Sequence, residues 1–156
     1  MKEFQEFNSP EDMDAACRYL IHRAKEATQH AYAPYSKFMV GAALMTDDET
    51  IVSGANVENA SYPLCMCAER VALYAFASQH TGKKITMIAV VAHKRNHKEL
   101  VSACSCGACR QVMLEFEQRQ DSPIQVIMLG PGGKWVKSES VAALVPFGFD
   151  RSVLEV

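Results

Sequence analysis

The stretch CAERVALYAFASQHTGKKITMIAVVA, from Cys67 to Ala92, decides the fold. Between Cys67 and His80 its only charges are Glu69 and Arg70. A helix that is apolar on nearly every face is a central, buried one. Ile85 to Ala92 is a continuous apolar run rich in β-branched residues, the pattern of an interior strand.

Working outward, Ser9-Pro10-Glu11-Asp12 reads as a helix start: a hydroxyl cap, a first-turn proline and acids facing the dipole. Met13, Ala16, Cys17, Leu20, Ile21 and Ala24 recur at helical spacing and predict an amphipathic helix over 10–29. Ala33-Pro34-Tyr35-Ser36 ends it. Phe38 to Met45 and Glu49 to Val57 read as strands joined by the turn Thr46-Asp47-Asp48. Ser105 to Gln118 predicts a further helix and Ile124 to Leu129 a strand. After the turn Gly130-Pro131-Gly132-Gly133, Trp135 and Val136 suit an edge strand and Val141 to Leu144 a terminal helix. Strands interleaved with helices predict an α/β fold, a mixed five-stranded sheet with helices on both faces. No repeat, low-complexity tract or linker divides the chain, so one domain over 1–156 is expected.

A formal net charge of -2 and a pI near 6.2 leave no basic footprint for nucleic acid, so a small-molecule substrate is expected. The segment Met1 to Met13 is polar and acidic, unlike a secretory signal, and no later stretch suits a membrane span. A cytoplasmic location is therefore expected, where six cysteines serve as thiols or metal ligands and not as a disulfide framework.

Cys106-Gly107-Ala108-Cys109 is a CxxC motif opening a predicted helix. Alone it is equally a pair of small core residues or a redox dithiol. Cys67 changes the balance, because it too opens a helix and is followed two residues later by Glu69. Cys106 and Cys109, three apart, share a helix face that continues through Val112, Met113 and Phe116, so both thiols are expected to point toward the core. Three thiolates from two helix starts can hold one tetrahedral Zn²⁺ and leave its fourth position open, as catalytic zinc requires. Two helix N-termini offset the residual negative charge, and Arg70 can donate to the sulfurs. Elsewhere Arg70 would be a snorkelling surface residue and Glu69 a first-turn acid facing the dipole; here Glu69 suits the proton shuttle of a zinc hydrolase.

Cys67-Ala68-Glu69 followed by Cys106-Gly107-Ala108-Cys109-Arg110-Gln111 resembles the zinc signature of the nucleoside deaminases. Cysteine in the first ligand position points to the small homotetrameric cytidine deaminases. The resemblance extends through 33–43 (Ala-Pro-Tyr-Ser-Lys-Phe-Met-Val-Gly-Ala-Ala), 56–62 (Asn-Val-Glu-Asn-Ala-Ser-Tyr) and Leu144-Val145-Pro146 with Phe149. It implies a three-layer fold and hydrolysis of cytidine, and of 2′-deoxycytidine, to the uracil nucleoside and ammonia in pyrimidine salvage. Water activated by the metal would attack C4, with Glu69 moving the protons. It further implies that Asn56 and Glu58 bind the ribose 3′-hydroxyl and that Phe38 packs on the pyrimidine. Ala60, Tyr62 and Phe149 would complete a neighbouring subunit's pocket in a homotetramer.

Two departures stand out. Ser105 replaces the family's proline before the CxxC and is expected to cap the helix, while Cys65 and Cys104 are expected to be inert small residues. None of the five histidines falls in a ligand motif, and His93 and His97 are expected to face solvent. A deaminase of a related aminopyrimidine nucleoside such as blasticidin S is the competing enzyme. A structural zinc or RNA-binding module, the competitor from another class, would need a fourth ligand and a basic face.

Overall fold

The computed structural model describes residues 3–154. Its elements run β1 (Phe4–Phe7), α1 (Ala15–Ala27), β2 (Phe38–Thr46), β3 (Ile51–Ala55), α2 (Ala68–Gln79), β4 (Ile85–Lys94), α3 (Gly107–Gln120), β5 (Gln125–Leu129) and β6 (Trp135–Ser138). They form an α/β fold around one mixed sheet of order β1-β6-β5-β4-β2-β3. Among the described strands only the β4–β5 pair is parallel, with α3 as its crossover; the other pairs are antiparallel.

The period of two along β4 sorts its side chains into two cores. Ile88 and Val90 join Leu73 and Phe76 of α2 and Met113 and Phe116 of α3 on one face. Met87, Ala89 and Val91 join Leu20, Ile21 and Ala24 of α1 on the other. A strand covered on both faces has no polar position to alternate with, which is why 85–92 reads as a continuous apolar run. The three layers follow from that.

Among the described residues the sheet has six strands, not the expected five. Phe4-Gln5-Glu6-Phe7 alternates over only four residues and gains its pairing from Trp135–Ser138, so its strand character depends on that distant partner. The expected helix over 10–29 is also broken. Ser9 and Asp12 close a capping box on a single 3-10 turn, Pro10–Asp12, and Met13 is extended. Asp14 is the true N-cap of α1, its carboxylate accepting from the N–H of Cys17 at 2.8 Å. The expected terminal helix is only a 3-10 turn, Ala142–Leu144.

α2 lies close against the sheet because Gly54 of β3 has no side chain. A Cβ there would stand 2.5 Å from Ala72 N and 2.6 Å from Ala68 O. The start of α2 is thereby fixed beside β2 and β3.

Candidate active site

Cys67 and Cys106 are the N-caps of α2 and α3, and Cys109 is buried in the first turn of α3. Their sulfurs all lie within 4.8 Å of one another, with Cys67 and Cys106 4.0 Å apart. Zn–S bonds of about 2.3 Å in a tetrahedron place sulfurs about 3.8 Å apart, so the three thiols fit zinc with little adjustment. Among the described residues the group contains these three donors, one fewer than the four of a closed structural zinc site. Cys106 is exposed, contrary to the expectation that both CxxC thiols point into the core. As the cap it lies outside the helix proper, and its sulfur accepts from the N–H of Cys109 at 3.4 Å while facing the cavity.

Of the three thiols, Cys67 is the one held ready to lose its proton. Cys67 is held down to about 5, first by a hydrogen bond from Cys109 and then by Arg70, whose Nη2 lies 3.5 Å from the sulfur. Cys109 is pushed up because its thiol donates to Cys67 and is buried. Arg70 is in turn held more firmly protonated, chiefly by Cys67. The Arg70 guanidinium thus lies against the Cys67 sulfur.

Glu69 is only 4% exposed, and its carboxyl is raised by burial first and by the neighbouring Cys67 charge as well. It opens onto a cleft of about 580 Å³ whose walls include Phe38, Asn56, Glu58, Cys67 and Cys106. A carboxyl shifted upward beside metal-ligand sulfurs is placed to give and take protons.

The polar lining residues Asn56 and Glu58 are themselves held by hydrogen bonds. Asn56 Oδ1 accepts from the N–H of Val40 (2.8 Å), and Nδ2 donates to the carbonyl of Phe38 (2.9 Å). The side chain thus extends the β2–β3 ladder past its last backbone pair and keeps one N–H free. Glu58 accepts from the N–H groups of Tyr35 (2.9 Å) and Ser36 (3.3 Å) and from the Ser36 hydroxyl, which leads the groups that lower its carboxyl.

Ala60, Tyr62 and Phe149 stand outside this cleft. Ala60 is exposed, Tyr62 is 68% exposed with its ring edge-on to Tyr35 at 5.6 Å, and Phe149 is 63% exposed. Gln111 of α3 donates to the carbonyl of Phe149 at 2.8 Å, fixing the path of that segment.

Several cleft residues went unassigned in the sequence. Val40, Met66, Ser102 and Ala103 line it, and so do the two further thiols Cys65 and Cys104. Closeness to the ligand positions was the one sequence signal for these two thiols. Ser105 does not cap α3, because it lies one residue before the cap and Cys106 takes that role. His93 is not free in solvent either: its ring nitrogens lie 3.1 Å from Thr28 Oγ1 and 2.9 Å from the Lys94 carbonyl.

The family model for the cytidine and deoxycytidylate deaminase zinc-binding region matches residues 15–121. A cytidine deaminase of Sporosarcina psychrophila is 38% identical over 135 residues, covering 86% of this chain and 92% of that one. One from Mycobacterium tuberculosis is 40% identical over 120 residues, covering 75% and 86%. The crystal structure of cytidine deaminase from Burkholderia pseudomallei superposes with a TM-score of 0.71 at 40% identity, covering 88% of this chain and all of that one. With its three converging thiols and buried glutamate, this chain belongs to the cytidine and deoxycytidylate deaminase family and is a zinc hydrolase.

Proposed function

We propose that the protein converts cytidine and 2′-deoxycytidine, with water, to uridine and 2′-deoxyuridine plus ammonia, as a single-domain cytoplasmic enzyme of pyrimidine salvage. The observation that carries this reading is the juxtaposition, around one cleft, of buried Glu69, Cys67 and Cys106 with Phe38, Asn56 and Glu58. Zinc held by Cys67, Cys106 and Cys109 supplies the Lewis acidity that makes a water nucleophilic near neutral pH.

Glu69 accepts a proton from the attacking water and delivers it to ring N3, which makes C4 more electrophilic. It then moves the second proton to the exocyclic amine, which leaves as ammonia. Burial favours the protonated form of Glu69, which suits a group that must hold a proton between these steps. Phe38 packs on the pyrimidine face, an interaction worth about 0.5–1.5 kcal/mol beyond its buried area. The free N–H of Asn56 and the carboxylate of Glu58 bind the ribose 3′-hydroxyl. Because both are held by backbone partners, little ordering remains when the sugar arrives.

A homotetramer accounts for the exposed aromatic residues, with Ala60, Tyr62 and Phe149 completing a neighbouring cleft. Tyr32, Tyr35 and Leu64 stand exposed as well, and burial between subunits is the usual reason for so much apolar surface. The test is release of ammonia from cytidine, deoxycytidine, cytosine and blasticidin S by zinc-loaded protein, with Glu69→Gln alongside. Nucleosides should be turned over and free cytosine rejected, and the variant should keep its zinc while losing about 10³-fold or more in kcat. No ammonia from either nucleoside, or near-normal turnover by the variant, refutes the reading.

A further inference from the structure

We propose that Ser36 is a positioning residue for Glu58, its hydroxyl turning the carboxylate so that a single acceptor position is left for the sugar of the substrate. This rests on the deaminase reading, in which Glu58 receives the ribose 3′-hydroxyl, and adds to it a residue outside the zinc signature.

Ser36 and Glu58 both line the cleft. The donors that meet the Glu58 carboxylate are neutral groups of Tyr35 and Ser36. Oε2 accepts from the N–H of Tyr35 at 2.9 Å and from the N–H of Ser36 at 3.3 Å. Oε1 accepts from the Ser36 hydroxyl. That hydroxyl has a fixed aim, because its oxygen in turn accepts the N–H of Phe38 at 3.0 Å. The backbone beneath is fixed as well. The N–H of Glu58 donates to the carbonyl of Tyr32 at 2.8 Å, and Val57 and Met66 exchange N–H···O bonds of 3.0 and 2.9 Å. Among the described residues no lysine or arginine forms a salt bridge with Glu58, so its charge is held in place without being neutralised.

A carboxylate offers about four lone-pair positions. Two N–H groups fill those of Oε2 and the Ser36 hydroxyl fills one of Oε1, which leaves a single acceptor position on Oε1. One substrate hydroxyl fits there, and a vicinal pair does not. The terminal torsion of a glutamate is broad and has no sharp preference of its own. Without the Ser36 hydroxyl the carboxylate would be held through Oε2 alone and could pivot about it, carrying Oε1 away from the arriving sugar. Orienting the acceptor in advance lowers the ordering cost of binding. The same Ser36 oxygen holds the N–H of Phe38, so the sugar contact and the pyrimidine contact share one anchor.

The experiment measures kcat/KM for cytidine, 2′-deoxycytidine and 3′-deoxycytidine on zinc-loaded wild type, Ser36→Ala, Glu58→Ala and the double variant, with zinc content alongside. Ser36→Ala should keep its zinc and lose about tenfold on cytidine and on 2′-deoxycytidine, the scale of one lost hydrogen bond to a charged group. On 3′-deoxycytidine, which lacks the hydroxyl that Glu58 receives, its loss should stay below about threefold. In the Glu58→Ala background the same substitution should cost less than about twofold on cytidine. An equal loss on all three nucleosides overturns the proposal, because Ser36 would then act through Phe38 or through stability at large. Wild-type kcat/KM on cytidine overturns it too, as does a loss that tracks zinc content or one undiminished in the Glu58→Ala background. A loss on cytidine that spares 2′-deoxycytidine would place Glu58 on the 2′-hydroxyl and overturn it as well. Failure of the deaminase reading is distinct, since wild type would then release no ammonia from any of the three. Calorimetric binding of uridine and 3′-deoxyuridine to the same zinc-loaded proteins would then decide: Ser36→Ala should weaken uridine alone, and equal or absent weakening of the two overturns the pairing.

Discussion

Gly54→Ala should damage the active site without touching any residue in it. The added Cβ would stand 2.5 Å from Ala72 N and 2.6 Å from Ala68 O, the two ends of one turn's hydrogen bond in α2. That is about 0.9 Å short of the 3.4 Å at which ordinary contact begins. Both obstacles are backbone, so no side chain can swing away; either α2 lifts from the sheet or β3 bends. Overpacking of this kind costs about 1–3 kcal/mol, which for a chain of this size lowers the melting temperature by about 3 to 10 °C. The lifted turn carries Cys67 at its cap and Glu69 at its second position, while Cys106 and Cys109 stay with α3. A displacement approaching 1 Å exceeds the tolerance of about 0.5 Å for a working constellation, so kcat for cytidine should fall about ten- to a hundredfold. Gly107→Ala is the control for stability, because a Cβ there meets nothing within 4 Å. It should be neutral or stabilising by up to about 1 kcal/mol, as expected for alanine in a helix. Melting by calorimetry and initial rates on zinc-loaded protein give both quantities. A Gly54→Ala protein with wild-type melting and wild-type kcat would refute the claim that this contact seats α2 and sets the position of Glu69.

Glu117, buried on α3, accepts from the N–H groups of Ile124 (2.8 Å), Val141 (2.7 Å) and Ala142 (2.9 Å). Glu117→Gln turns one acceptor into a donor facing an N–H and should cost about 2–4 kcal/mol in urea unfolding; a loss below about 0.5 kcal/mol would contradict that pairing. Asp14→Ala removes the cap of α1 and should cost about 1 kcal/mol near pH 7. The N–H of Cys17 leads the groups that hold the Asp14 carboxyl below its ordinary value of 3.8, so this stabilisation is present above 3.8 and lost as pH falls through the folded value. The difference between wild type and variant should therefore shrink on acidification, and a constant difference between about pH 7 and 3 would contradict the assignment. Cys106→Ala removes one of three ligands and should weaken zinc binding more than about tenfold, with a lower melting temperature because site and fold energies are linked. Full metal occupancy by elemental analysis would count against the three-thiol site.

The central helix, the interior strand and the helix-opening cysteines were all legible in the sequence, because each is written in short-range pattern. The helix after Cys67 buries only the face of Ala68, Glu69, Ala72, Leu73 and Phe76 and leaves Tyr74 48% exposed, so its burial on every face did not follow from its composition. A continuous β-branched run has to be covered on both faces, and CxxC spacing brings two thiols to one helix start. Residues brought together from far along the chain were not legible. Phe4–Phe7 is a strand only because Trp135–Ser138 pairs with it. Asn56 read as a polar strand end, yet its amide is part of the β2–β3 ladder. Glu117 read as one more helical acid, yet it gathers three backbone donors from two other segments. Even the cysteine constellation was sharpened, since Cys106 caps its helix and faces the cleft while Cys109 goes inward. The sequence by itself determined which chemistry the chain can perform, because thiolates, a carboxyl and a guanidinium are properties of single residues. Tertiary structure decided which oxygen meets which proton, because burial and hydrogen bonding depend on neighbours that only packing supplies.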